Sequence, residues 1–542
     1  MITVQPPRER PKNRVQTPSD KRPSNQVKTY LAPIGGLVTN QALAAQMDGA
    51  AVVLDNFWPT ETGVEPRGGS VRRVNIAGAV ESLFEYRSGL NEQFFAADAS
   101  NIYSFNRSTP DETILTAAVT GQTSGDYVTL EMQTDGGSFL SVVNGSDPLQ
   151  MYDGTSWQQV TATSTPHSIT GLQTDRVSFL WSYRNRQFMV EKNTMNAWYL
   201  GVNSVSGSAL KYPLAGVFKK GGSLLFGGTW SSDSGDGMDD RCVFVTDQGE
   251  FAVYAGGNPS DSNDWGLIGV YDIGQPLGRK SHMSIGGDLI VATKEGLIPI
   301  SAAVHKEPAE LKTTSIARSI DPDWREEISL AGSSGDWRLL KWPSRNLAMA
   351  IPPGNSVTGA SAYTVNLSTN AWATISGWRI SSAAVLDDAL HYGDASGQIF
   401  VCDLGGQDDG LPFLCQGCLT FDHLGAPGTF KVAQLLRTTW RASVPFGLNV
   451  SVATDYVPSF PAAPNASPIP GGLQASWDTA MWDQAAWADS DERRETTSRW
   501  VNVAGQGRTL AVQFQVTSGA SRKLDCELIS ADLSFQTGAV VA

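Results

Sequence analysis

The sequence predicts an all-β chain, and three observations carry that prediction. Of 542 residues, 54 are Gly and 16 are Trp, while runs of Leu, Ala, Glu and Lys that favour helices are scarce. From about residue 81 to 405, an apolar strand, a Gly/Asn/Asp turn and a second strand recur about seven times. From Thr429 onward the strands alternate apolar and polar residues more strictly, which marks a separate β-domain. At this length the chain exceeds one ordinary core and divides into two or three domains.

The recurring hairpins are QFFAADASNIYSFN from Gln93, FLSVVNGSDPLQMYDGTSW from Phe139, QFMVEKNTMNAWYL from Gln187 and CVFVTDQGEFAVYAG from Cys242. Then come DLIVATKEGLIPIS from Asp288, the long hairpin from Leu347 and ALHYGDASGQIFVCDL from Ala389. Their starts lie roughly 40 to 60 residues apart, near the length of a four-stranded propeller blade. A β-propeller with some irregular blades is the first choice, and a pair of β-sandwiches is its rival, because strand spacing alone does not separate the two. The interior Trp157, Trp198, Trp230, Trp372 and Trp378 suit blade packing better than ligand contact. In the last part, Leu510, Val512, Phe514 and Val516 share a strand face, as do Leu524, Cys526 and Leu528.

Ahead of the first hairpin, Leu54 to Ser70 reads LDNFWPTETGVEPRGGS, in which Asp55-Asn56, Pro59, Gly63 and Pro66-Arg67-Gly68-Gly69 each interrupt a helix. Short strands joined by tight turns are expected there. Further upstream, Arg8, Arg10, Lys12, Arg14, Lys21, Arg22 and Lys28 face only Glu9 and Asp20 within the first thirty residues, although the whole chain carries a formal charge of −14. A basic, Pro-rich arm thus precedes an acidic body. Three readings of the arm stand: a solvated tail, a segment docked in an acidic groove of a neighbouring protein, and a phosphate binder. The docked reading is preferred, with Arg8, Arg10, Lys12, Arg14, Lys21 and Arg22 as its protein-contacting residues.

An acidic body argues against broad nucleic-acid binding by the folded part. The start of the chain lacks the apolar core of a secretory signal, and no apolar run is long enough to cross a bilayer, so a soluble product of the cytoplasm is expected, without membrane insertion. Five Cys give no disulfide framework. Cys402, Cys415, Cys418 and His423 have a spacing that a Cys3His zinc site can use, but reduced thiols in a β-rich region are the preferred reading.

Trp477-Asp478, Trp482-Asp483 and Trp487 repeat every five residues, a period that fits neither a strand nor one helix face. They read either as a sugar-stacking site with two glycosidase carboxylates or as a loop pinned by buried indoles; the second is preferred. Asp233 to Asp240 lacks the alternation and closing Glu of a calcium loop, and YDGTSW from Tyr152 fails the spacing of a sialidase Asp-box. With no P-loop, GxSxG, HExxH or dinucleotide fingerprint and five scattered His, the chain is not expected to be an enzyme or to use a cofactor or metal.

Ala32 to Gly69, APIGGLVTNQALAAQMDGAAVVLDNFWPTETGVEPRGG, resembles the start of a tail protein family of short-tailed bacteriophages, the tail tubular protein B-like nozzles or hubs. The matching positions are Ala32-Pro33, Gly35-Gly36-Leu37, Met47-Asp48, Ala51-Val52, Leu54-Asp55-Asn56-Phe57, Pro59, Gly63-Val64, Arg67 and Gly69. At the other end, the repeated Trp-Asp and then Trp500, Val503, Gly505 and Gly507 are similar too.

The resemblance implies a structural virion protein: a β-propeller with an additional β-sandwich-like platform domain and an extended N-terminal arm, assembled as a homohexameric ring below the portal and adaptor. The genome would leave through the ring during DNA ejection. Its implied partners are further copies of itself, the tail adaptor and portal-side proteins, tail fibres or tailspikes, and double-stranded DNA that passes without specific binding. The expected division is an arm over residues 1–30, an N-terminal part of the platform over 31–80, a propeller over 81–405 and a C-terminal β-domain over 406–542 that completes the platform. The rival functions are a carbohydrate-binding or carbohydrate-degrading propeller of the virion and a cellular propeller acting as a scaffold.

Overall fold

The computed structural model describes residues 25–43, 48–89, 91–231, 240–331, 336–353, 362–443, 446–466, 495–519 and 523–540. Among them, seven antiparallel blades follow one another along the chain, the sixth as part of a larger sheet. Their first strands are Ser82–Ser88, Val128–Thr134, Val177–Tyr183, Leu224–Trp230, His282–Ile285, Arg338–Trp342 and Ser382–Leu386. All seven line one central cavity. Each packs beside the next blade, and the last lies against the first. The fold is therefore an all-β propeller with seven blades among the described residues.

Local chemistry explains the blades. Arg184 and Asn185 both adopt positive φ, as do Asp387 and Asp388, and each pair forms a two-residue turn that joins the first strand of its blade to the second. Such turns match the right-handed twist of the strands they connect. The second and third strands are buried on both faces: Arg241–Thr246 and Glu250–Ala255 expose almost no side chain. Aromatic rings fill the gaps between blades, as where Phe95 packs against Tyr152 and Trp157 with centroids 5.0 Å away in both cases.

The fifth blade is the irregular one. It has three strands, His282–Ile285, Asp288–Thr293 and Gly296–Pro299, and then turns helical. The longest helix, Asp321–Ala331, carries Asp321, Pro322 and Asp323 in its first turn, which suits the positive end of the helix dipole and the missing proline donor. Its Trp324 is fully buried, lies 4.5 Å from Trp337 and donates to the Thr293 carbonyl at 3.0 Å.

The seventh blade obtains its fourth strand from the other end of the chain. Ser70–Asn75 pairs antiparallel with Gln398–Cys402, Val74 facing Ile399. Sequence reading assigned residues 31–80 wholly to the platform; these six belong to the propeller, because Val74 completes a core shared by the seventh and first blades with Val80, Leu83, Leu386 and Ile399. The ring is thereby closed by two distant chain segments.

Both chain ends also build the sandwich. One sheet runs Phe57–Pro59, Val64–Pro66, Cys526–Val540, Thr429–Ala442 and Glu495–Gly507, with Gln26–Leu31 also paired to Cys526–Val540. The other joins Ala51–Asp55, Leu414–Leu419, Leu510–Thr517 and Gly447–Thr454, and it continues into the sixth blade through Asp55 beside Thr374. Between them lie Phe57, Leu436, Trp440, Val512, Phe514, Leu528 and Leu533. All eight residues of Leu510–Thr517 are buried, because the strand is covered on both faces. The same core reaches Ile290 and Trp324, so propeller and sandwich share one apolar interior.

Closing the ring with a distant strand makes one side chain unusually consequential. Val74→Ala should lower the unfolding free energy by roughly 2–3 kcal/mol, the cost of deleting buried methyl groups, as read from urea titrations followed by tryptophan fluorescence. A loss below about half a kcal/mol, the usual range for surface changes, would show that the seventh blade holds without this strand.

Candidate functional site

The stretch from Leu54 to Ser70 folds into a buried junction where propeller and sandwich meet. Arg67 has a fully buried side chain, and each of its five N–H groups has a partner. Nε donates to Asn56 Oδ1 at 2.8 Å; Nη1 donates to the Gly68 carbonyl and Asp408 Oδ1, both at 3.0 Å; Nη2 donates to Asp408 Oδ2 at 2.7 Å and the Ser376 carbonyl at 3.2 Å. The guanidinium lies between the rings of Phe413 and Trp378, 3.8 and 4.5 Å from their centroids. Asp408 also accepts from Ser70 Oγ and Trp378 Nε1.

Asn56 turns the chain at φ 62° and ties three segments through its amide, which donates to Ser376 Oγ at 3.0 Å and the Leu414 carbonyl at 2.8 Å. Burial pushes the Asp55 carboxyl above the usual carboxylate range, against the opposing pull of hydrogen bonds from Ser376 and Thr374. Asp403 behaves oppositely: burial opposes its charge, but Lys523 and Arg345 outweigh that and hold it below the usual range. It also accepts from Trp58 Nε1 at 3.0 Å and the Gly68 amide at 2.7 Å. Two glycines permit this packing. A Cβ on Gly69 would collide with the Gln407 carbonyl, and one on Gly36, at φ 68°, would strike the Trp372 backbone.

The second polar centre stands at one end of the propeller channel, where the starts of the innermost strands converge. Asp126 accepts from Arg279 and Lys280 at 2.5 Å each and from Arg338 at 3.3 Å. Arg279 also caps the Asn144 and Ser178 carbonyls at 3.2 Å, Arg338 donates to the Glu81 carbonyl at 3.1 Å, and Lys280 reaches Ser82 Oγ at 3.3 Å. Burial works against the Asp126 charge, yet the three cations hold its carboxyl well below the ordinary range. Lys280 is pushed down to about 7, first by burial and then by Arg338, with Arg279 adding to the repulsion and Asp126 opposing it. Nearby, the His282 ring stacks on Phe226 at 4.3 Å, and burial lowers it to about 4. Beyond this cluster the channel encloses about 480 Å³.

Several sequence-assigned residues fall elsewhere. Arg8, Arg10, Lys12, Arg14, Lys21 and Arg22 lie outside the described residues, as do Trp477, Asp478, Trp482, Asp483 and Trp487 and all of Asp233 to Asp240 except Asp240. Lys28, at the base of the arm, pairs with Asp48 and Asp422 at 3.1 and 3.3 Å. Cys402, Cys415 and Cys418 are buried in three separate apolar clusters, where burial pushes their thiols up, Cys418 to about 12. His423 Nε2 instead meets Tyr456 Oη at 2.9 Å. Trp378 and Trp372 are fully buried and bond Asp408 and the Ile316 carbonyl, while Trp157 packs in the aromatic cluster between the first two blades. The channel cluster escaped sequence reading: Arg279-Lys280 and Arg338 are ordinary surface-like basic residues until the start of each innermost strand is known.

No family model matches the chain, and no curated protein matches it in sequence. Solved structures with similarity include the BBS1 N-terminal region in complex with ARL6, at 7% identity and TM-score 0.37, covering 62% of this chain and 97% of that chain. Raptor of Chaetomium thermophilum is 9% identical, with TM-score 0.39 and coverage of 62% and 29%. YCF48 bound to a D1 peptide is 8% identical, with TM-score 0.28 and coverage of 62% and 95%.

Removing the Arg67 head group would leave the half-buried Asp408 without its cation, with only Ser70 and Trp378 still donating to it. Arg67→Met should therefore cost about 3–5 kcal/mol, and Arg67→Lys should recover little of it, since an ammonium cannot supply the planar five-donor fork. Chemical unfolding of both variants checks this, and a Lys variant as stable as the parent would overturn the junction's assigned role.

The buried imidazoles set an acid limit. His391, 5% exposed, is like His282 lowered to about 4 by burial. Each binds its proton more tightly in the unfolded chain, near the ordinary 6.5, so the stability they contribute is complete above that value and declines as pH falls towards 4. The urea midpoint should drop across this window, and His391→Asn should flatten the slope; an unchanged slope would remove the histidine from the account.

Proposed function

We propose that the chain is a structural subunit of a bacteriophage virion, forming a ring-shaped tail nozzle or hub below the portal and adaptor through which the genome is ejected. The observation that carries this reading is the place of the motif residues. Asp55, Asn56, Arg67 and Gly69, by which the chain resembles the nozzle family, are the residues that fasten sandwich to propeller. Their types are dictated by a shared architecture rather than by catalysis.

Two further features support the role. Glu495–Gly507 is a 13-residue strand at the border of its sheet, and among the described residues nothing pairs with its outer edge. Trp500 and Val501 on it are 38% and 42% exposed, and an edge of this length and composition invites pairing with another chain. The propeller channel, about 480 Å³ in volume, cannot pass a duplex whose major groove alone is about 12 Å wide. The conduit is thus the hole at the centre of the ring, and the acidic body gives that hole a wall that does not retain phosphate.

Class-averaged electron micrographs of the protein with its tail adaptor, and of the virion, test the reading. Rings about the tail axis, sixfold by resemblance, are expected; a peripheral fibre, absence from the particle, or glycan hydrolysis by the chain would overturn it. Trp500→Glu combined with Val501→Glu should abolish rings while shifting the thermal midpoint by no more than a few degrees, as surface changes do. Intact rings from this variant would exclude the edge strand as the interface.

A further inference from the structure

We propose that the propeller channel binds a small organic anion, with a carboxylate or phosphate head held by Lys280 and Arg338 where the innermost strands begin and an aromatic body against Phe179, Trp181 and Leu289 of the channel wall. This inference stands apart from the virion role and does not depend on it.

Arg279, Lys280 and Arg338 converge on one carboxylate, Asp126, where the innermost strands begin. Two more carboxylates lie near, Glu81 on the Gly125 amide at 2.8 Å and Asp336 on the Arg279 amide at 3.3 Å, but Lys280 and Arg338 line the cavity while no Asp or Glu among the described residues does, and His282 is neutral above about pH 4. In a chain of formal charge −14, this pocket is a concentrated exception.

The donors are not exhausted either. Lys280 directs two N–H groups to Asp126 and Ser82, and an ammonium has three. Arg338 makes both its bonds through Nη2, which leaves the donors on Nε and Nη1. Arg279 is committed to Asp126 and two carbonyls and serves to fix the cluster. Past the cationic end the wall is mixed, with Leu130, Phe179, Trp181 and Leu289 set among Thr129, Ser182, Thr229 and Ser284. A volume of about 480 Å³ lies within the range of small-ligand pockets, about 300–1,000 Å³, which pair an apolar lining with a few converging polar groups.

Anion binding also relieves the mutual repulsion of Lys280, Arg279 and Arg338. Lys280 loses its proton near pH 7 in the unliganded protein because burial and the neighbouring guanidiniums disfavour its charge. A bound anion favours that charge, so binding takes up a proton when Lys280 begins neutral. Affinity is then steady below about pH 7 and falls as pH rises above it.

The test uses the full-length protein and isothermal titration calorimetry with phenyl phosphate, benzoate, inorganic phosphate and phenol. Binding of one phenyl phosphate or benzoate per chain is expected, weakening roughly tenfold between about pH 6 and about pH 8.5, with inorganic phosphate weaker and phenol silent. The two aromatic anions distinguish a phosphate head from a carboxylate. Lys280→Met should weaken binding by about tenfold or more, the worth of a charge-assisted hydrogen bond. Ser284→Phe, which narrows the channel further along the wall without touching the head group, should block binding and keep the thermal midpoint, so the proposal stays testable if the lysine variant fails to fold. Failure of both aromatic anions to bind, phenol binding as well as benzoate, or full affinity in Ser284→Phe would each overturn it.

Discussion

The buried ion pair between Arg67 and Asp408 is the constraint around which the rest of the structure is arranged. A guanidinium taken wholly out of water is tolerated only when all its donors are satisfied and its charge is met, and here both conditions hold. Meeting them requires three separate pieces of chain at fixed positions: Asn56 from the N-terminal segment, Ser376 after the sixth blade, and the loop after the seventh that carries Asp408 and Phe413 into the sandwich. None can shift without leaving a polar group unpaired. The pair contributes positional definition more than net stability, since a well-packed apolar substitute for a buried ion pair is often as stable.

That constraint has mechanical consequences. The sandwich is joined to the propeller by the junction, by a sheet that runs on from the sixth blade through Ala51–Asp55, and by a core that extends from Phe514 to Trp324 without interruption. The seventh blade is closed by Ser70–Asn75, which follows directly on the junction, so the joint and the ring closure are one continuous piece of chain. For a subunit proposed to hold station in a ring while DNA passes, such coupling is appropriate: load applied to the sandwich reaches the propeller through backbone hydrogen bonds instead of a linker.

Much of this was legible in the sequence, and the pattern of what was missed is physical. The seven hairpins read from sequence are the second and third strands of the seven blades, for example Asp288–Thr293 with Gly296–Pro299 and Ala389–Gly393 with Gln398–Cys402. Those strands are covered on both faces and read as continuous apolar runs. The innermost strands line a polar channel on one side, and Arg338–Trp342 is half-buried along most of its length, so its hydrophobic signal is diluted. The outermost strand of the seventh blade was assigned to the wrong unit because its partner is over 300 residues away, and local pattern carries no information about pairing at that range. Arg67 belongs to the motif, yet nothing local distinguishes it from a surface arginine in a turn; its burial depends on Asp408 and Phe413.

The two polar centres solve opposite electrostatic problems. At the junction one cation meets a carboxylate that accepts two of its donors, and all five donors are used, which leaves nothing for solvent or ligand. In the channel three cations share one carboxylate, and the imbalance is expressed as a lysine whose proton is held weakly, at about 7. A buried cluster left with net charge costs stability unless something recruited later neutralises it. The first arrangement is what a structural joint requires, and the second is poor design for a joint. On the anion-binding proposal the positive charge at one end of the channel is a place kept for an anion, and the fully matched pair at Arg67 is the internal control that makes the contrast meaningful.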